Sequence, residues 1–226
     1  MVPDLKRLQN TIAYTFKDKA ILERALSHSS YINEKQPRGH SNERLEFLGD
    51  SVLGFITAEH FFLHYTHLPE GELTRLRAAT VCEASLHGFA NEINLGGFLF
   101  LGRGETVTGG RERPSILADA FEALIAAIYL DGGMEEARKF VLKFIEKAAM
   151  DALNHKDYKT VLQEIVQKNP EESVAYVLTA ESGPDHDKRF EVEVRLNSNV
   201  VGRGIGKSKK LAEQAAAKEA LALLGY

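Results

Sequence analysis

The sequence has a single cysteine, no tryptophan and no long apolar run. With only Cys82, neither an intramolecular disulfide nor a zinc site built from several cysteines can form. No window approaches the roughly 18 to 20 consecutive apolar residues of a membrane span. Charged side chains also interrupt the N-terminus, where a signal peptide would have its apolar region. These absences predict a cytoplasmic protein with no membrane partner.

An excess of basic charge is missing as well. The chain carries 28 Lys and Arg against 32 Asp and Glu, a net charge of −4. The halves differ, because residues 156–226 hold 11 basic and 11 acidic residues and the net negative charge lies in residues 1–155. The net charge of the whole chain bears on solubility and association, and it does not locate a binding site. A nucleic-acid partner therefore depends on local clusters.

Two patterns of hydrophobicity divide the chain. Helical periodicity dominates residues 1–152 and predicts an all-α domain, with loops expected at residues 32–42 and 102–115 because of their glycine and proline. The polar residues 153–157 predict a linker. Residues 158–226 contain two alternating runs and a glycine-rich run between amphipathic segments, which predicts a small α+β module of α-β-β-β-α order.

Three acids stand in the apolar stretch "SNERLEFLGDSVLGFI", residues 41–56. Glu43, Glu46 and Asp50 are separated by three and four residues, so a helix would place them on one face. An unpaired buried carboxylate costs several kcal/mol. These acids therefore need a compensating charge, unless they cap the helix or lie at the surface.

A second apolar stretch repeats this arrangement. Asp119 and Glu122 are the only charged residues between Ser115 and Leu130, and they are again three apart. An Arg or Lys partner is conceivable, but this stretch offers none, so a cation from solvent explains the acids better. Because all donors are oxygens and no Glu-x-x-His pair accompanies them, Mg²⁺, or Mn²⁺ as its substitute, is favoured over a di-iron centre. Such a site serves phosphodiester hydrolysis.

The stretches "NERLEFLGDS" and "LADAFEALIAAIYLD", with "LPEGELTRLRA" and "GRGE", resemble bacterial ribonuclease III, and the similarity extends over all 226 residues. The resemblance implies an Mg²⁺-dependent homodimeric endoribonuclease that cleaves both strands of double-stranded RNA by water attack. It also implies 5′-phosphate and 3′-hydroxyl ends, and a role in processing structured RNA such as ribosomal RNA precursors and mRNA.

The same resemblance assigns roles in the N-terminal domain. Glu43 would meet the RNA beside the scissile bond, and Glu70 would reach the cleavage valley of the partner subunit. Phe47 would insert into a socket on that subunit; packing under a loop of its own chain is the alternative. Four acids would ligate the metal: Glu46, Asp50, Asp119 and Glu122. Two of them, Asp50 and Glu122, would also be catalytic.

The segments "KTVLQEIVQ", "GPDHDKRF" and "GRGIGKSKKLAEQAAAKEAL" resemble a double-stranded RNA-binding domain. Such domains contact two minor grooves and the phosphates between them. We expect His186 to enter one minor groove. The other predicted contacts lie on the first and last helices: Thr160, Gln163, Glu164, Gln167, Lys207, Lys209 and Lys210. A lysine cluster that is merely solvated is the alternative.

Two other functions stay open at this point. A non-catalytic RNA binder would keep the C-terminal module, whereas a phosphohydrolase of small nucleotides would not need it. Three arginines before the second acidic stretch, Arg103, Arg111 and Arg113, could hold backbone phosphates or belong to a mobile basic loop.

Overall fold

A computed structural model describes residues 3–35, 39–154, 158–167, 169, 171–184 and 187–225. It divides the chain into two compact units, Met1–Asn154 and His155–Tyr226. The helices of the first unit are α1 (Leu5–Ile12), α2 (Lys19–Ala25), α3 (Ser29–Lys35), α4 (Glu43–His64), α5 (Glu70–Thr80), α6 (Glu83–Glu92), a 3₁₀ helix (Leu95–Phe98), α7 (Arg103–Val107), α8 (Pro114–Gly132) and α9 (Met134–Asn154).

Helix α8 is the centre of the first unit. It is apolar on almost every side, and residues 116–118, 120–121 and 123–128 are buried. It packs against α2, α4, α6 and α9. Phe121 of α8 contacts a cluster of three further aromatic rings, Phe89, Phe140 and Phe144. A helix that is apolar all round belongs in a core, and the predicted all-α domain is confirmed.

The second unit is a three-stranded sheet with two helices. Its elements are α10 (Tyr158–Val166), β1 (Val174–Ser182), β2 (Arg189–Leu196), β3 (Asn199–Gly206) and α11 (Lys209–Leu223). The strands are antiparallel in the order β1-β2-β3. Strand β3 lies so close to α11 that a Cβ on Gly204 would come within 2.2 Å of the Ala216 backbone nitrogen. The predicted α-β-β-β-α module is confirmed.

Parts of the two expected loops are helical. Helix α3 includes residues 32–35, and α7 lies inside residues 102–115. Tertiary hydrogen bonds join them, because the backbone N–H of Gly102 donates to Ser30 Oγ (3.0 Å) and that of Arg103 donates to Glu34 Oε2 (2.6 Å). Sequence periodicity cannot detect such bonds.

The first two residues of the expected linker, 153 and 154, are helical. Residues 153 and 154 are the last two of α9, whose end packs with α5 and α4 around a small cluster of Phe61, Leu76 and Ala149. Residues 155–157 lie outside the described part of the chain. None of the described helices has both the length and the apolar character that crossing a bilayer requires.

Candidate active site and nucleic-acid surface

Helices α4 and α8 cross in van der Waals contact at a glycine. A Cβ on Gly49 would lie 1.9 Å from the carbonyl oxygen of Glu122, so no other residue fits without separating the helices. Gly49 sits between Glu46 and Asp50, and the crossing therefore brings the acids of α4 beside those of α8. Sequence reasoning missed Gly49, although a glycine inside an apolar helix is a signal of close packing.

Three carboxylates meet at this crossing. Glu46, Asp119 and Glu122 each present an oxygen within 4.8 Å of the others, and all three side chains are half-buried. The cluster could bind a metal ion. Since its donors are carboxylate oxygens alone, it suits a hard divalent cation that keeps water in its remaining positions.

The acids of the crossing destabilise one another's charged forms. Burial raises the pKa of Glu122 to about 8, and the nearby charges of Asp50, Glu46 and Asp119 contribute. Burial also raises the pKa of Glu46, with repulsion from Asp119, Glu43 and Asp50 adding to it. A bound cation would reverse this repulsion. The electrostatics of the cluster therefore fit a metal centre.

Two residues that sequence reasoning did not select influence Asp119. Burial raises the pKa of this carboxyl, the charge of Glu83 raises it further, and His28 acts in the opposite direction. Ser30 holds the His28 ring in place, because its backbone nitrogen (3.2 Å) and its Oγ (2.8 Å) both lie within hydrogen-bond distance of His28 Nδ1. Glu83 and His28 are far apart in sequence, and no local pattern could have connected them with Asp119.

The other predicted catalytic acids lie outside this group of three. Asp50 and Glu43 are exposed on α4; both charges act on Glu46. Glu70 is the exposed first residue of α5, and Thr74 Oγ1 donates a hydrogen bond to its Oε1 (2.9 Å). Among the described residues, the group of acids that could hold a metal ion does not include Glu70.

Phe47 points into solvent in the single chain. Its side chain is 78% exposed, and two further phenylalanines of α4, Phe55 (53%) and Phe62 (70%), are also exposed. At 100° per residue the three lie within one quadrant of the helix. We call them the phenylalanine stripe. The alternative that Phe47 packs under a loop of its own chain is wrong.

The arginines before α8 take part in local structure. Arg111 donates from Nη1 to the carbonyl oxygens of Gly96 (2.8 Å) and Leu99 (2.9 Å), which ties α8 to the 3₁₀ helix. Arg113 forms an ion pair with Glu105. These two arginines therefore hold the segment together, and Arg103 is exposed.

The predicted RNA contacts of the second unit lie at its surface. On α10 and just after it, the side chains of Thr160, Gln163, Glu164 and Gln167 are exposed. Lys207, Lys209 and Lys210 are exposed around the first turn of α11, which Ser208 caps by accepting a hydrogen bond from the Leu211 N–H (3.2 Å). His186 lies outside the described residues.

Family models match both units. A model described as "Ribonuclease-III-like" matches residues 18–149, and one described as "Double-stranded RNA binding motif" matches residues 158–224. The chain is 49% identical to Ribonuclease 3 of Caldanaerobacter subterraneus over 224 residues, covering 98% of both chains. It is 51% identical to Ribonuclease 3 of Clostridium tetani over 222 residues, covering 96% of this chain and 94% of that relative.

Solved structures agree with the fold of the first unit. A structure of the nuclease domain of ribonuclease III from Campylobacter jejuni covers 64% of this chain and 98% of its own, with 43% identity and a TM-score of 0.60. That structure addresses flexibility in a region involved in dimer formation of the Campylobacter domain. A second structure of the same domain gives 44% identity and a TM-score of 0.59, covering 64% of this chain and 95% of its own.

Proposed function

The chain belongs to the ribonuclease III family and is an endoribonuclease, and we propose that it hydrolyses double-stranded RNA with Mg²⁺, leaving 5′-phosphate and 3′-hydroxyl ends. The observation that carries the metal-dependent reaction is the group of Glu46, Asp119 and Glu122 at the crossing of α4 and α8. Its partly buried, mutually repelling carboxylates need a cation, and a phosphodiester substrate brings further negative charge that needs one too.

Each acid has a distinct part in the proposed site. Glu46, Asp119 and Glu122 would hold Mg²⁺, with Mn²⁺ as a substitute, and Asp50 would complete the ligands. When bound, the ion supplies activation of water and charge stabilisation for the leaving 3′ oxygen. Glu43, exposed at the start of α4, would position the RNA beside the scissile bond.

The proposal includes a homodimer with two such sites. The phenylalanine stripe supports it, because three exposed Phe side chains on one helix face are an unusual surface for a protein that works alone. Phe47 would enter a socket on the second copy, in an interface related by two-fold symmetry. Glu70, which is not in the metal-binding group of its own chain, would act at the partner's site.

The second unit would hold the duplex. Its exposed α10 residues and the lysines at the start of α11 fit a domain that reads the shape of A-form RNA through minor grooves and phosphates. We propose that the substrates are structured RNAs in the cytoplasm, such as ribosomal RNA precursors and mRNAs. His186 stays a predicted contact of the second minor groove.

A cleavage assay tests this function. The full-length protein is incubated with a long RNA duplex, with single strands of the same sequence and with mononucleotides, each with Mg²⁺, with Ca²⁺ or with EDTA. We expect cleavage of the duplex with Mg²⁺ alone, and fragments with 5′-phosphate ends by mass spectrometry. Duplex binding without cleavage would indicate a non-catalytic binder, and hydrolysis of mononucleotides alone would indicate a phosphohydrolase.

A further inference from the structure

Carboxylates already occupy part of the lysine cluster at the start of α11. Lys209 Nζ lies 3.1 Å from Glu181 Oε1, and Lys188 Nζ lies 3.9 Å from the other oxygen of the same carboxylate. Lys207 Nζ lies 3.8 Å from Asp187 Oδ1. Glu181 therefore bridges two ammonium groups on a surface that is expected to bind phosphate.

Strand pairing determines the position of Glu181. It lies near the end of β1 and is paired with Phe190 of β2, and directly paired residues of an antiparallel sheet point to the same face. The Phe190 ring lies 5.7 Å from Lys209 Nζ, so this face carries the start of α11. The geometry holds Glu181 beside Lys209 through the backbone of two strands, rather than by chance contact of long side chains.

We infer that Glu181 is an affinity-determining residue that competes with RNA phosphates for Lys209 and Lys188. The inference rests on the proposed function, in which the lysines of α11 meet the RNA backbone. A carboxylate and a phosphate cannot both take the same ammonium group without repelling each other. Glu181 therefore weakens duplex binding and favours release of the product.

The expected size of the effect follows from exposure. The Glu181 and Lys209 side chains are 37% and 60% exposed, so water and salt screen their interaction. Exposed ion pairs of this kind correspond to changes of about two- to fivefold in an equilibrium constant. The effect should shrink as salt is raised from about 0.05 M to about 0.3 M, because the Debye length falls from about 14 Å to about 6 Å and salt screens the exposed charges more strongly.

The decisive comparison is Glu181→Gln against Glu191→Gln in the full-length protein. Both changes remove one negative charge from the same sheet, but Glu191 follows Phe190 on β2, so its side chain points to the opposite face. Dissociation constants are measured with a duplex of about 16 base pairs, the span of one such domain, in EDTA to prevent cleavage. We expect E181Q to bind the duplex about two- to fivefold more tightly than wild type at low salt. Its complex with the duplex should not dissociate faster than that of wild type at any salt concentration, and E191Q should bind like wild type.

Three further variants separate this inference from the proposed function. In a Lys209→Ala background the gain from E181Q should become smaller, because the ammonium group for which Glu181 and phosphate compete is gone. If E181Q and Glu181→Ala bind no more tightly than wild type while the triple variant of Lys207, Lys209 and Lys210 to Ala binds weakly, the inference is wrong and the RNA surface stands. If the triple variant binds like wild type, the proposed RNA surface itself is wrong. If E191Q binds the duplex as tightly as E181Q, the gain comes from the change in net charge alone, and the inference is also wrong.

Discussion

The acidic cluster between α4 and α8 and the lysine surface at the start of α11 differ in how their charges are compensated. At the crossing of α4 and α8, carboxylates are half-buried against a large apolar core, and burial together with the repulsion among them raises the pKa of Glu122 to about 8. At the start of α11, exposed lysines lie beside acids of the opposite sign, and Glu181 neutralises Lys209. In the proposed function, the site that would hold a metal ion leaves its negative charges without a cationic partner among the described residues, whereas the surface that would bind and release RNA is partly neutralised by its own carboxylates.

The difference also predicts how each surface responds to mutation. The acidic cluster depends on a backbone contact at Gly49 and on burial, so a change there should act strongly on chemistry. The lysine surface is exposed and screened, so changes there should be graded and sensitive to salt.

The largest effect should come from Glu122→Gln. This change removes one charge from the metal-binding group and keeps the size of the side chain, so we expect cleavage to fall by roughly a hundredfold or more, as when one charge-stabilising group is removed from an active site. Duplex binding should stay close to wild type, because the second unit is untouched. Cleavage and gel-shift assays on one preparation measure both. If E122Q cleaves RNA at the wild-type rate, Glu122 is not part of the active site.

Phe47→Ala should come next. If Phe47 fills a socket on a second copy, its loss costs roughly 3 kcal/mol or more, by analogy with other buried Phe truncations. We expect a shift toward monomer in sedimentation, and a raised Mg²⁺ requirement because Glu46 is the preceding residue of α4. Val107→Ala is the matched control, since Val107 is also an exposed apolar side chain, on α7. A dimer of F47A as tight as wild type would show that the socket does not exist.

The lysine surface gives a smaller, graded effect. Replacing Lys207, Lys209 and Lys210 with Ala should weaken RNA binding and flatten the dependence of log K on log salt, since each phosphate contact releases counterions. The loss should be similar for duplexes of unrelated sequence, because phosphate contacts carry no base information. An unchanged salt slope, measured by titration at several salt concentrations, would mean that the lysines are only solvated.

Local pattern predicted the two domains, most of their elements and the acids, but not the contacts that tertiary structure supplies. The three- and four-residue spacings of Glu43, Glu46 and Asp50, and the uniform apolarity around Asp119, predicted an acidic face on two core helices. The approach of Glu83 and His28 to Asp119 arises only when α6 and the segment before α3 pack near α8. Helices α3 and α7 escaped prediction for the same reason, because hydrogen bonds between Gly102 and Ser30 join segments 72 residues apart.

The smallest effect is on stability without metal, and its dependence on pH tests whether the acids repel one another. The pKa of Glu122 is raised from 4.5 to about 8 in the folded protein. Between these values the unfolded chain has lost a proton that the folded chain keeps, so the contribution of Glu122 to stability is complete below about pH 4.5 and is lost as pH rises to about 8.

Asp50→Asn should reduce the loss of stability that Glu122 causes as pH rises. Removing the charge of Asp50 lowers the pKa of Glu122, because the repulsion that helps raise it is relieved. In EDTA we therefore expect D50N to melt at or above the temperature of wild type at pH 8, with the advantage shrinking toward pH 5, while Mg²⁺ no longer stabilises it. Glu112→Gln, which removes an exposed acid before α8, controls for net charge and should leave the pH profile unchanged. If D50N melts well below wild type at pH 8 without metal, Asp50 supports the fold, and the repulsion attributed to the cluster does not limit its stability.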